Sequence, residues 1–129
     1  MERGDPGVFF IDRAREDNIL KEGGAEWDIE STNPCGEQPL PNYTSCNLGS
    51  INVEAFVDND GAVDWGEFRT QVYRSTYYLD LVIDACSYPL PKIEERTKSI
   101  RPIGLGIMGL ADAAIKQNLV YGSGEVFDF

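Results

Sequence analysis

The sequence contains no histidine. That absence removes the Ser-His-Asp and Cys-His routes to an activated nucleophile, and it removes the usual zinc sets. Cysteine is sparse, with Cys35, Cys46 and Cys86 alone and no C-x-x-C spacing. Neither a metal knuckle nor a small disulfide-stapled secreted fold is expected from that. No run approaches the ~20 apolar residues that a membrane-crossing helix needs, so no membrane partner is expected. No basic segment leads into an apolar one as a secretory signal would. The expected location is the cytoplasm, where thiols stay reduced unless they do chemistry. Positive charge is short as well: 11 Lys and Arg stand against 22 Asp and Glu, a net charge of −11. A nucleic-acid surface works by replacing counterions with Lys and Arg, so no nucleic acid is expected as partner. The plain reading of the excess is solvated acidic helix faces. Phosphates bound here would need helix N-termini or chain elements outside this sequence.

What remains is ordinary globular material. The 129 residues, 42% hydrophobic and 11% aromatic, suit one compact domain at most. Val8-Phe9-Phe10-Ile11 reads as a short buried strand or the start of a helix, and residues 12–21 as a polar helix or turn broken by Gly23-Gly24. Residues 27–31 suggest a short strand, and residues 46–53 alternate as a longer one. From Trp65 to about Ser87, Phe68, Val72, Thr76, Leu79, Val82, Ile83 and Cys86 recur at helical spacing. Asp64, with Glu67 three residues on, is a capping-box start for that helix. Pro89 and Pro91 end it. Cys86 lies on its apolar stripe and is expected to pack in the core. Residues 92–99 predict a short charged helix, and residues 104–117 an apolar strand running into a helix.

Two patterns imitate familiar sites. Gly104-Leu105-Gly106-Ile107-Met108-Gly109 matches the glycine fingerprint of dinucleotide-binding turns. The physics of that fingerprint needs a buried strand before it and a second strand ending in an acidic residue after it. Residues 99–102 make a poor strand, and the 20 residues after Gly109 supply no such second strand. A nicotinamide-dependent dehydrogenase is therefore the weaker alternative, and close packing through glycine the expected use. Asp58-Asn59-Asp60-Gly61, with Glu67, imitates half of a calcium loop. Aligned on Gly61, it places Phe56 where an oxygen ligand is needed. A turn followed by a helix cap accounts for the same residues, and no metal is expected.

The chemistry concentrates in Asn33-Pro34-Cys35-Gly36-Glu37-Gln38-Pro39-Leu40 and in Cys46, eleven residues after Cys35. Pro34 fixes its own φ and Gly36 lets another group approach the backbone. Asn33 and Glu37 bracket Cys35 at a spacing that, in an extended loop, turns all three side chains to one cavity. A thiol, a nearby base and a second thiol at the head of a strand are the parts of redox or radical chemistry on a bound small molecule.

Asn33-Pro34-Cys35-Gly36-Glu37-Gln38-Pro39-Leu40 with Ser45-Cys46-Asn47-Leu48-Gly49-Ser50-Ile51-Asn52 resembles the catalytic core of the ribonucleotide reductase large chain. The form is nearest the adenosylcobalamin-dependent enzymes. Gly4-Asp5-Pro6-Gly7 with Phe10-Ile11-Asp12-Arg13, Tyr88-Pro89-Leu90-Pro91 and residues 103–112 resemble neighbouring segments of that family. The resemblance implies that residues 1–129 are a central fragment of a ten-stranded α/β barrel carrying its cysteine finger loop. It implies a radical reduction of ribonucleotides to deoxyribonucleotides. Cys35 would become a thiyl radical and take the 3′ hydrogen, and Glu37 would accept the proton of the 3′ hydroxyl. Asn33, with Pro34 and Gly36, would hold the substrate, and Cys46 would be half of a dithiol that ends as a disulfide. The partner of Cys46 in that family lies upstream of Met1. The implied partners are the ribonucleotide substrate, the remainder of the catalytic chain and a thioredoxin-type reductant; adenosylcobalamin, or a separate di-metal subunit, would start the radical. The 129 residues alone are expected to be inactive. A non-catalytic or split-chain module of the same assembly is the alternative.

Overall fold

A computed structural model describes residues 7–125 of the chain. In chain order these form α1 (Ile11–Glu16), β1 (Ser31–Thr32), β2 (Pro39–Leu40), β3 (Asn47–Asn52), α2 (Trp65–Ala85), α3 (Pro91–Ile100), β4 (Ile103–Met108) and α4 (Leu110–Lys116), with 3₁₀ turns at Lys21–Gly23, Ala25–Trp27 and Val53–Phe56. The class is α/β. The chain divides into two compact units: one runs up to Cys46 and takes in Tyr88–Ile100, and the other holds Asn47–Ser87 and the residues from Arg101 on.

The second unit is built on burial. β3 pairs parallel with β4 over six residues, from Asn47↔Ile103 to Asn52↔Met108. Parallel neighbours need a long crossover, and α2 lies in the intervening chain. α2 starts where its sequence says it should. Asp64 Oδ1 accepts the Glu67 N–H at 2.9 Å, satisfying one orphan donor of the first turn. The reciprocal half of the box is not made: the Asp64 N–H donates to the Phe56 carbonyl at 2.9 Å, and the Glu67 carboxylate pairs with Arg74 at 3.2 Å. Leu79 and Ile83 are the buried residues of the helix. Gly49 of β3 lies against α2, where a Cβ would make an ordinary contact of 3.6 Å with the Leu79 methyls. Val53, Val57 and Ala113 form a core cluster with Val63, Phe68 and Leu110 against it. Phe68 meets Phe56 and Trp65 in near-perpendicular ring pairs at centroid distances of 5.4 and 5.8 Å, the arrangement that ring quadrupoles favour. Arg101, at φ 47°, forks onto Asp80 and Asp84 of α2 just before β4 begins. The Arg101 hydrogen bond holds the Asp80 carboxyl below the ordinary carboxylate range.

Several expectations change here. Cys86 is not core-packed. α2 ends at Ala85, and Cys86 turns out of it as an extended C-cap with φ −72° and ψ 139°. It is exposed, its thiol directed to the Ser87 carbonyl at 3.8 Å. The prolines just beyond take the chain off the helical path before the stripe reaches this residue. Val8 and Phe10 are 70% and 67% exposed rather than buried; they precede α1 and find no apolar core among the described residues. The residues 1–6 that carry part of the family resemblance lie outside the described residues.

The glycine fingerprint is also resolved. Gly104 and Gly106 sit inside β4, opposite Leu48 and Ser50 of β3, not in a turn that follows a strand. A Cβ at Gly106 would meet only the Ser50 hydroxyl, at 4.0 Å. Gly109 is the constrained member: its φ is 73°, and a Cβ would fall 2.0 Å from Asn52 Oδ1. Close packing therefore holds at Gly109 and not along the whole run. The Asp58 loop is a turn, with Asp58 Oδ1 accepting the N–H groups of Asp60 and Ala62 at 2.9 and 2.8 Å. No cluster of three metal-ligating side chains occurs among the described residues.

Candidate active site

The first unit is built on polar and cation–π contacts. β1 and β2 pair antiparallel, Ser31 with Leu40 and Thr32 with Pro39, and the strands have two residues each. A hairpin this short is not stable on strand pairing alone. Asn33 closes it. Its backbone N–H donates to the Gln38 carbonyl at 3.3 Å, and its carbonyl accepts the Gly36 N–H at 3.1 Å. Its side-chain oxygen accepts the Gln38 N–H at 3.0 Å, and its side-chain amide donates to the Glu37 carboxylate. Pro34 and Cys35 occupy the central turn positions, and Gly36 supplies φ 87°, which only glycine adopts freely.

The segment is therefore a hairpin tip and not the extended loop in which alternate side chains share a face. Asn33 and Glu37 still meet, but through the turn. The tip presents Cys35 exposed. Asn33 uses one amide hydrogen and one lone pair on the loop, leaving one of each for another group by its donor–acceptor inventory.

Cys46 lies in the same unit, one residue before β3. It is half-buried. Burial, with the negative charge of Glu37 second, pushes its thiol above the ordinary range. Both causes disfavour the thiolate. Glu37 is thus the group that reaches both ends of the site: a hydrogen bond to Asn33 and a field at Cys46. Sequence reasoning missed Thr97. This residue of α3 is 1% exposed, and its Oγ1 accepts the Ser45 N–H at 3.0 Å, next to Cys46. A threonine on a charged helix gives no signal of this. Only the fold brings the two together across 52 positions.

A family model described as the ribonucleotide reductase barrel domain matches residues 1–129. This chain belongs to the ribonucleotide reductase barrel-domain family. It is 47% identical over 124 residues to the vitamin B12-dependent ribonucleoside-diphosphate reductase of Thermoplasma acidophilum, covering 96% of this chain and 16% of that protein. The protein of the same description from Mycobacterium tuberculosis is 43% identical over 122 residues, covering 95% of this chain and 17% of its own length. The ribonucleoside-diphosphate reductase subunit alpha of Chlamydia pneumoniae is 32% identical over 132 residues, covering 99% of this chain and 12% of its own length. The chain thus spans about a sixth of the length of these two B12-dependent relatives.

A corrin fits poorly on these residues. Two cavities of the second unit measure about 430 and 220 Å³, and a corrin with its nucleotide tail is larger than either. The smaller is lined by side chains such as Val53, Phe56 and Leu110 and has almost no polar surface for the amide fringe of such a ring. No histidine is present to serve as an axial base. Among the described residues, neither of these two cavities forms the cradle of a cobalamin.

Proposed function

We propose that residues 1–129 are a slice of the catalytic barrel of a ribonucleoside-diphosphate reductase. In the complete protein that barrel has ten strands, and these residues carry its cysteine finger. The observation that supports this best is the hairpin. It places a thiol at the tip and ties a carboxylate to an amide beneath it, in a chain of this family. In this reading the ribose docks over Asn33, Pro34, Cys35, Gly36 and Glu37. The Cys35 thiyl takes the 3′ hydrogen, forming an S–H bond and leaving a carbon radical. Glu37 takes the proton of the 3′ hydroxyl as general base. Asn33 orients Glu37 and binds the substrate with its remaining amide hydrogen. Cys46 and a cysteine outside this chain supply two electrons and protons as the 2′ hydroxyl leaves as water. Their disulfide is reset by exchange with a thioredoxin-type dithiol. Cys46 suits a hydrogen donor because its raised pKa keeps it a thiol at neutral pH.

Adenosylcobalamin, named as the dependence of two relatives, would supply the radical equivalent in the complete protein, held by residues beyond these. The remainder of the catalytic chain is the necessary partner. Exposed Leu48, Ile107, Met108, Tyr73 and Tyr77 are surfaces that the rest of a barrel would cover, since a lone parallel pair leaves both its edges open. No helix among the described residues is long and apolar enough to cross a membrane, in keeping with a cytoplasmic enzyme. The alternative of a non-catalytic module has no observation in its favour.

The test is turnover. The complete chain carrying this sequence, given adenosylcobalamin, a ribonucleoside diphosphate and a dithiol, is expected to form deoxynucleotide. Cys35→Ser should abolish this, and Glu37→Gln should lower kcat by about 10²–10⁴-fold, the range for losing a general base. The 129-residue chain alone should form none. Full activity of the Cys35→Ser protein would sink the reading.

A further inference from the structure

α3 reads in sequence as a short charged helix with no task. The structure gives it one, and all of it lies within the first unit. Lys92 places its ammonium 4.2 Å from the Tyr43 ring centroid. Arg96 stacks its guanidinium 4.2 Å from the Trp27 ring centroid and donates to the Glu26 carbonyl. Thr97 accepts the Ser45 N–H at 3.0 Å and shares a second hydrogen bond with the Ser45 hydroxyl at 3.3 Å. These contacts reach segments on both sides of the hairpin. Trp27 leads into β1, while Tyr43 and Ser45 lead from β2 to Cys46. Tyr43 is at φ 59°, so the chain makes an unfavourable left-handed turn as it heads toward the second thiol.

Of the three α3 residues, Thr97 is the buried one and the one that holds the residue adjoining Cys46. A buried hydroxyl that accepts a backbone N–H fixes a main-chain position to within a hydrogen-bond length. Surface cation–π contacts are looser and weaker. We infer that Thr97 is the positioning residue for Cys46: its hydroxyl anchors the Ser45 backbone and so sets where the Cys46 thiol stands relative to Glu37. The inference rests on the reading of Cys46 as half of the reducing dithiol. It assigns Thr97 no contact with substrate.

The experiment uses the complete reductase chain carrying this sequence. Alkylation by iodoacetamide is followed cysteine by cysteine by peptide mass spectrometry, from pH 6 to 10. Thr97→Val keeps the side chain's outline and removes the oxygen. It is expected to raise the Cys46 alkylation rate at pH 8 by about threefold or more and to move its pH midpoint down, because a loosened thiol is better solvated and ionises more readily. Cys35 should react as before. Thr97→Ser keeps the oxygen and should behave as the natural protein; if Thr97→Val does not fold, Thr97→Ala, which also removes the oxygen, carries the test with the same rise expected at Cys46. Lys98→Gln removes the Glu94 ion pair and the ammonium over the Tyr88 ring while leaving Thr97 intact, and serves as control for α3. An unchanged Cys46 profile in Thr97→Val overturns the inference. So does an equal shift at Cys35 and Cys46, which would mark general loosening, and so does a Thr97→Ser profile displaced as far as the valine one. Absence of turnover by the natural chain would defeat the functional reading and leave this comparison standing.

Discussion

The two units solve the same folding problem differently. In the second, one pair of strands in register over six residue pairs and a 21-residue helix close over apolar side chains, and the positions are set by volume. In the first, strands of two residues are held by an asparagine, a threonine and two stacked cations. Ile29 and Pro41 are its only buried apolar residues among those described. The proposed chemistry lies entirely in the first unit. A thiol and carboxylate that must meet a polar substrate cannot sit in a packed apolar core. They are instead aimed by hydrogen bonds, which are directional and individually modest. Precision here comes from direction.

Truncating the scaffold should produce the largest change. Ile83 is 2% exposed, and Ile83→Ala is expected to cost about 2–5 kcal/mol through lost transfer energy and the cavity left behind. Hydrogen exchange should show the amides of β3 and β4 losing protection, while the Gln38 N–H held by Asn33 changes little. Equal loss in both units would break the comparison, since it would mean that the hairpin depends on the same core.

Next in size are the two constrained glycines. Gly109→Ala drives a Cβ into Asn52 at a left-handed residue and should destabilise the second unit by about 1–3 kcal/mol. Gly36 has a left-handed φ as well, yet nothing lies within 4 Å of a Cβ there. Gly36→Ala should therefore cost only the backbone term, about 1–2 kcal/mol, and its effect should appear in the hairpin alone. Denaturant unfolding of the two variants separates the cases. A Gly36 variant as damaging as the Gly109 one would show that the tip is more crowded than an exposed turn should be.

The contrast also decides what a sequence can disclose. α2, β3 and the strand-to-helix passage at β4 and α4 follow from apolar period and from caps such as Asp64, because burial writes itself into spacing. The Asn33–Cys35–Glu37 group was legible as residue types, and the family pattern singles it out, yet its geometry was not. Period-two reasoning gave an extended loop, whereas Pro34 and Gly36 make a turn that Asn33 closes with its side chain. Thr97 was invisible because a single long-range hydrogen bond leaves no periodic trace. Cys86 misled for the opposite reason. Its spacing continued the apolar stripe past the point where Pro89 and Pro91 had already taken the chain away from the helix.

The smallest effect expected is a dependence on alkaline pH carried by Cys46. Its pKa is raised in the folded chain, by burial first and by Glu37 second. The folded state therefore holds the thiol proton more tightly than the unfolded state does. Stability from this source is fully present below the unfolded thiol value, near ~8.5, and is lost as pH rises through the higher folded value. Denaturant midpoints of the natural chain and of Cys46→Ser should accordingly run parallel from pH 6 to 8 and converge or cross above pH 9. Glu37→Gln removes the second cause and leaves burial. It should shrink the alkaline loss without abolishing it, and that remainder separates a thiol kept protonated by its surroundings from one kept protonated by its neighbour's charge.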